Sequence, residues 1–339
     1  MKTFIASLPA GPLDLVGDIH GEWDALVALL HHLGYGADGQ HPRGRRLVLL
    51  GDVVDRGPDV PAVLDWCQML LTTGRGQMVL GNHEINLLLD EAKPGSGWYF
   101  DERADRDGRD FGPWRRYPPA KRAALRSFLA GQPLILQRPD LRVVHAAWLP
   151  EAVAALGQAS GRDLVAAHRH WERALDAAAR NQPWYADWQR ERAQPLARED
   201  AEQTPAPRPA TAARDAYYSS GNPIRALTCG NEEPSPAPHF AGGRWRFVQR
   251  APWWQHYDEA PAVVIGHYWR RWDGSNPLFP GPPQSWCGPR HNVFCCDYSV
   301  GARWQERRAG VSPSRCRLAA LRWPERTLVF DDGQRLPTI

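Results

Sequence analysis

Three short blocks in the first quarter of the chain carry residues able to do chemistry. They are Gly17-Asp18-Ile19-His20-Gly21, Gly51-Asp52-Val53-Val54-Asp55-Arg56-Gly57 and Gly81-Asn82-His83-Glu84. Asp18 and His20 stand two residues apart, so on an extended chain both project to one side and can bind one ion. Asp52 can bridge two ions through its two carboxylate oxygens, and Asn82 offers a neutral amide oxygen. Two later histidines finish apolar runs, His145 after Leu141–Val144 and His267 after Val263–Gly266. Brought together, these side chains can hold two divalent metals, and a two-metal site points to phosphoester hydrolysis. Nitrogen and oxygen donors without thiolate suit manganese, iron, zinc or nickel. Singly, each motif has a bland reading as a surface turn or a core histidine. Their joint occurrence in this order carries the metal reading.

The elements that must position these residues are short. Leu13–Val16, Leu47–Leu50 and Met78–Leu80 are apolar runs ending in Gly-Asp or Gly-Asn, the mark of buried strands with polar carboxyl ends. In open α/β sheets that edge is where ligands bind. Helical patterns follow at Glu22–Leu33, Val60–Leu71 and Ile85–Asp90, with Pro61 near one start and Gly34 and Gly74 just past two ends. Successive β-α-β units predict a parallel sheet. Residues 95–119 read as an ordered loop, Lys121–Leu129 as a helix and Pro133–Trp148 as a hairpin. Ala- and Arg-rich helical patterns run from Pro150 to Trp188. The Pro-rich stretch Arg192–Ala213 reads as a mobile surface segment. Strand signals return at Pro261–Ile265, Asn292–Cys296, Arg317–Leu321 and Thr327–Phe330. The organisation is one catalytic domain over 1–339 with a helical and Pro-rich insertion at about 150–215.

Composition narrows the class. A net charge of +3 over 339 residues gives no electrostatic footprint for nucleic acid, and none is expected as a partner. Lysine occurs only at Lys2, Lys93 and Lys121 among 41 lysines and arginines, so a cationic clamp here must be arginine. Arginine suits bidentate phosphate recognition. No signal peptide and no run long enough to cross a bilayer is visible, which predicts a cytoplasmic protein without a membrane partner. The six cysteines form no C-x-x-C pair, as reduced thiols would.

The blocks GDIHG at 17, GDVVDRG at 51 and GNHE at 81, with His145 and the Gly-His at 266, resemble the calcineurin-like metallophosphoesterases. Within them they are similar to the branch of phosphoprotein phosphatases and bacterial diadenosine tetraphosphatases. The resemblance implies an α/β fold, a central β-sandwich flanked by helices in an α-β-β-α arrangement. It also implies that Asp18, His20 and Asp52 hold one metal, and Asp52, Asn82, His145 and His267 the other. Manganese is the first expectation, with iron, zinc and nickel open. Many phosphodiesterase relatives carry Gly-His-x-His, whereas this chain has Gly266-His267-Tyr268-Trp269, which favours the phosphatase and tetraphosphatase branch.

Two metals lower the pKa of a water between them, and the hydroxide so formed attacks phosphorus in line. Arg56, beside the bridging Asp52, is the candidate for stabilising the charge that spreads over the phosphoryl oxygens. The resemblance makes His83 the general acid, with Asp55 on its other ring nitrogen. It also implies a second substrate arginine between the last two histidine ligands, for which Arg225 is the choice and Arg250 the alternative. Six aromatics crowd His267: Trp253, Trp254, Tyr257, Tyr268, Trp269 and Trp272. They read as packing before a base-stacking platform. The expected substrate is a phosphomonoester such as protein phosphoserine or phosphothreonine; the alternative is diadenosine tetraphosphate or another nucleoside polyphosphate. A non-catalytic scaffold would have no use for an intact ligand set and an intact Asp55–His83 pair.

Overall fold

The computed structural model describes residues 3–159, 161–194, 196, 204–241, 244–312 and 314–339. In chain order the first strands are β1 (Ile5–Ser7), β2 (Leu13–Val16), β3 (Arg46–Leu49), β4 (Gly76–Met78), β5 (Ile135–Arg138) and β6 (Leu141–Val144). Then come β7 (Glu232–Ala241), β8 (Arg244–Arg250), β9 (Ala262–Ile265) and β10 (Val293–Cys295). The last are β11 (Ala319–Trp323), β12 (Thr327–Phe330) and β13 (Arg335–Pro337). The chain divides into two compact units, residues 1–146 with 254–339, and residues 147–253.

The first unit contains two mixed sheets. One runs β1-β5-β6-β9-β10 and the other β13-β12-β11-β2-β3-β4. Their inner faces share one core, in which Leu13, Leu15, Val48 and Leu321 meet Leu136, Val143, Val264 and Phe294. This is the expected sandwich. Strands β2, β3 and β4 pair in parallel, as the alternation of strand and helix signals requires. The intervening helices are Trp23–Leu33, closed by Gly34 in the left-handed region at φ 92°, and Val60–Thr72, capped by Asp59. Both bury an apolar stripe.

Residues 95–119, expected to be loop throughout, contain a helix over Asp101–Asp110. Its sequence has no apolar stripe, so periodicity could not reveal it. Asp107 is its one buried residue. The helix expected over Ile85–Asp90 starts earlier, at Asn82, with Gly81 as its N-cap.

The second unit carries helices Pro150–Gln158, Leu164–Ala179, Tyr185–Ala193, Pro209–Gly221 and Pro223–Cys229, and the β7–β8 hairpin. Trp245, Phe247 and Val248 of the hairpin pack with Ala212. The hairpin extends this unit beyond the expected 150–215. Within the expected mobile stretch Arg192–Ala213, residues 195 and 197–203 lie outside the described residues. Pro209–Ala213 is helical, with Pro209 at the first position and Glu191 accepting the free N–H groups of Ala210 and Thr211 at 3.0 and 2.7 Å. Among the described residues no helix is long and apolar enough to cross a membrane.

Candidate metal centre

Each candidate ligand sits just past the carboxyl end of a first-unit strand. Asp18 and His20 follow β2, Asp52 follows β3, Asn82 follows β4, His145 follows β6 and His267 follows β9. The glycines before them let neighbouring carboxylates approach. A Cβ on Gly81 would lie 2.2 Å from Asp52 Oδ1, and one on Gly266 would lie 2.1 Å from Asp18 Oδ1. The turns are strained as well. His20, Asp52, Asp55, Arg56, His267 and Trp269 have φ between 47° and 71°. Each such residue costs about 1–3 kcal/mol, and surroundings that impose it are characteristic of functional sites.

Two groups of buried donors result. His20, Asp52 and His83 form one, and Asp52, His145 and His267 the other, with donor atoms in each within 4.8 Å of one another. Asp52 belongs to both. Asp18 Oδ2 lies 3.9 Å from His20 Nε2, and its carboxylate accepts the His267 N–H at 3.1 and 3.2 Å.

The buried polar atoms fit divalent cations. Asn82 Oδ1 is buried and accepts no hydrogen bond. His145 Nδ1 donates to Leu50 O at 2.7 Å, so neutral His145 turns its Nε2 lone pair toward Asp52 Oδ2, 3.3 Å away. Two acceptors facing each other call for a cation between them, a proton in the metal-free protein and a metal ion in its place when one binds. Burial alone would lower the His145 pKa, but Asp52 and Asp18 outweigh it and push it up to about 10. Asp18 is raised by burial and by Asp297. Asp52 would also be raised by burial, but His145, His83 and His20 hold it well below the usual carboxylate range. His20 is lowered by burial, by Arg56 and by His83. Asp18, Asp52, Asp55, Glu84 and Asp297 are all buried. That much buried negative charge beside Arg56 requires compensation.

Arg56 spans the site. Its two terminal nitrogens donate to His20 Nε2 and His83 Nε2, each at 3.1 Å, and its guanidinium lies 4.7 Å from the Trp269 ring centre. His83 Nδ1 is 2.5 Å from Asp55 Oδ2, and Nε2 faces the donor group, 3.9 Å from Asp52 Oδ2. The backbone there is helical rather than extended, and the His83 N–H donates to Asp52 Oδ1 at 3.0 Å.

Asp18, His20, Asp52, Asp55, Arg56, His83, His145 and His267 thus meet within the first unit. Arg225 lies in the second unit, with its guanidinium 3.1 Å from Glu172, and Arg250 ends β8 there. Of the aromatics near His267, Trp254 stacks on Phe279 and Tyr268 is fully buried, as packing predicts. Trp269 is half-buried against Arg56. Sequence reasoning gave no role to Glu84, Trp98 and Asp297. Glu84 accepts backbone N–H groups of Asp52, Val53 and Gly81, each at 2.9 Å. Asp297 accepts the Trp269 N–H at 2.7 Å, and Trp98 donates to Asp55.

Histidine and aspartate donors at the edge of a two-sheet sandwich define the metal-dependent phosphoesterase class. The family model described as calcineurin-like phosphoesterase matches residues 11–268, and the chain belongs to that family of hydrolases. It is similar to a symmetrical bis(5'-nucleosyl)-tetraphosphatase of Ralstonia nicotianae, 32% identical over 192 residues, 54% of this chain and 59% of that one. A protein of the same description from Neisseria meningitidis is 33% identical over 138 residues, 40% of this chain and 43% of its own. Matches to the curated relatives span between 29% and 59% of those proteins' lengths. A cold-active protein-tyrosine phosphatase of a psychrophilic Shewanella aligns over 100% of this chain and 82% of its own, at 15% identity and a TM-score of 0.49.

Proposed function

We propose that this protein hydrolyses dinucleoside polyphosphates at a dinuclear centre held by Asp18, His20, Asp52, Asn82, His145 and His267. The observation that carries the reading is the membership of Asp52 in both donor groups, which suits a bridging carboxylate. Two divalent cations bound there, manganese first among them, would polarise the phosphoryl oxygens and lower the pKa of water. The arginine fork of Arg56 neutralises charge on the phosphoryl oxygens. His83, with Nδ1 held by Asp55, presents Nε2 to the leaving oxygen and delivers a proton to it.

The choice of substrate reverses the order expected from the motifs alone. The relatives that match over 138 and 192 residues carry tetraphosphatase names, and the half-buried Trp269 beside Arg56 offers a ring near the reacting phosphate. Symmetrical hydrolysis of diadenosine tetraphosphate consumes one water, breaks the central P–O–P bridge and releases two nucleoside diphosphates. The test is a comparison of kcat/KM with added manganese on diadenosine tetraphosphate, p-nitrophenyl phosphate and a phosphoserine peptide. The highest value is expected for the dinucleotide. Turnover of the peptide without cleavage of the dinucleotide would restore the phosphomonoester reading.

A further inference from the structure

The segment Pro94-Gly95-Ser96-Gly97-Trp98 touches the Asp55–Arg56 turn at two points. Gly95 O accepts the Arg56 N–H at 2.9 Å, and Trp98 Nε1 donates to Asp55 Oδ1 at 2.6 Å. Asp107 fixes the segment from behind, its Oδ2 accepting the N–H groups of Gly95 and Gly97 at 3.0 and 2.9 Å. Arg103 in turn pairs with Asp107 at 2.5 Å. The approach is close: a Cβ on Gly95 would lie 2.8 Å from Arg56 Cγ, and Gly95 has φ +90°. Trp98 is 1% exposed, with the Tyr99 and Tyr117 rings 5.4 and 5.8 Å from its own.

Asp55 and Arg56 hold consecutive left-handed conformations, φ 71° and 70°, which a non-glycine pair keeps only under constraint. The Asp55 carboxylate is gripped from both sides, Oδ1 by the Trp98 indole and Oδ2 by His83 Nδ1. With both oxygens engaged it cannot turn about its terminal torsion. The plane of the carboxylate sets the plane of the imidazole, and so the direction of Nε2.

We propose that Trp98 is a positioning residue for the reaction: its indole N–H fixes the Asp55 carboxylate and thereby aims His83 Nε2 at the leaving group. The proposal rests on the reading of His83 and Asp55 as the proton-donating pair. It does not depend on which phosphoester is the natural substrate.

The test compares wild type, Trp98→Phe, Asp55→Asn and the double variant on phenyl phosphate and p-nitrophenyl phosphate. The phenolate leaving group needs the proton far more than the nitrophenolate does. For Trp98→Phe, kcat on phenyl phosphate should fall about tenfold, the scale of one charge-assisted hydrogen bond, with KM and metal content unchanged. On p-nitrophenyl phosphate the loss should be clearly smaller. The double variant should be no slower than Asp55→Asn alone, because both changes act through one carboxylate. Equal losses on the two substrates, or losses that multiply in the double variant, would reduce Trp98 to a packing role and overturn the proposal. So would an unchanged Trp98→Phe rate beside an impaired Asp55→Asn. An Asp55→Asn enzyme as fast as wild type on both substrates would remove the proton-donating pair itself, and the role of Trp98 with it. If Trp98→Phe fails to fold, a benzothiophene ring in place of the indole at position 98 keeps the bicycle and deletes only the N–H, and the same outcomes apply.

Discussion

Glu84 holds the backbone of Asp52: Oε2 accepts the Asp52 N–H at 2.9 Å, and the same oxygen accepts the Gly81 N–H at 2.9 Å. Oε1 accepts from Val53 at 2.9 Å and Val54 at 3.3 Å. One buried carboxylate thus ties the turn after β3 to the turn after β4. It fixes the residue common to both donor groups without itself joining either.

Exchanging that carboxylate for an amide turns an NH2 group toward backbone donors. Glu84→Gln should leave at least one buried N–H unsatisfied, costing about 1–3 kcal/mol. A lower midpoint in thermal unfolding and less than wild-type metal per chain are the expected readings. Unchanged values of both would show that Asp52 needs no such support.

His83 lies close enough to His20 and Asp52 to bind metal, yet its Nδ1 is committed to Asp55. The proton-donor role proposed for it implies that metal binding does not need it. His83→Asn should keep metal content near wild type while kcat falls about 10²–10⁴-fold, the range for general acid–base catalysis. The fall should be smaller on p-nitrophenyl phosphate than on an alkyl phosphate. Loss of a metal equivalent, measured by elemental analysis, would make His83 a ligand.

In the metal-free protein Asp52 and Asp18 outweigh burial and raise His145 from 6.5 to about 10. A raised pKa means that protonated His145 stabilises the metal-free fold fully below pH 6.5 and loses that contribution as pH rises through about 10. A metal on Nε2 must displace this proton. Affinity should therefore climb with pH across that window, by up to about tenfold per unit, with proton release visible by calorimetry in buffers of different ionisation enthalpy. Affinity flat across the window would contradict the assignment of His145 as ligand.

Away from the site, Asp14 in β2 is fully buried and accepts from Arg45 Nε and Nη2 at 3.0 and 2.9 Å and from Tyr35 at 2.9 Å. Asp14→Ala should cost about 3–5 kcal/mol by leaving the Arg45 guanidinium buried without its main partner. Denaturant unfolding measures the loss directly. A change below about 1 kcal/mol would mean that Glu325 alone satisfies Arg45.

The candidate ligand positions were legible because the signal is local: a short apolar run, a glycine, then a donor, as at Gly17-Asp18 and Gly266-His267. The helices Trp23–Leu33 and Val60–Thr72 were legible for the same reason, through their apolar stripes and ends. The helix Asp101–Asp110 was not, since its one buried residue is an aspartate serving distant backbone groups. Strand β7 was masked by Pro234, Pro236 and Pro238, which confine it to a two-stranded hairpin with irregular register. Trp98 escaped notice because its bond to Asp55 joins residues 43 positions apart, which no spacing rule connects.

The central claim is a dinuclear centre bridged by Asp52, and elemental analysis paired with activity tests it most directly. Wild-type protein should bind two manganese ions per chain, hydrolyse diadenosine tetraphosphate or p-nitrophenyl phosphate, and lose that activity in chelator. Asp52→Asn should lose at least one metal equivalent together with the activity. A metal-free Asp52→Asn sample working at the wild-type rate would contradict the account.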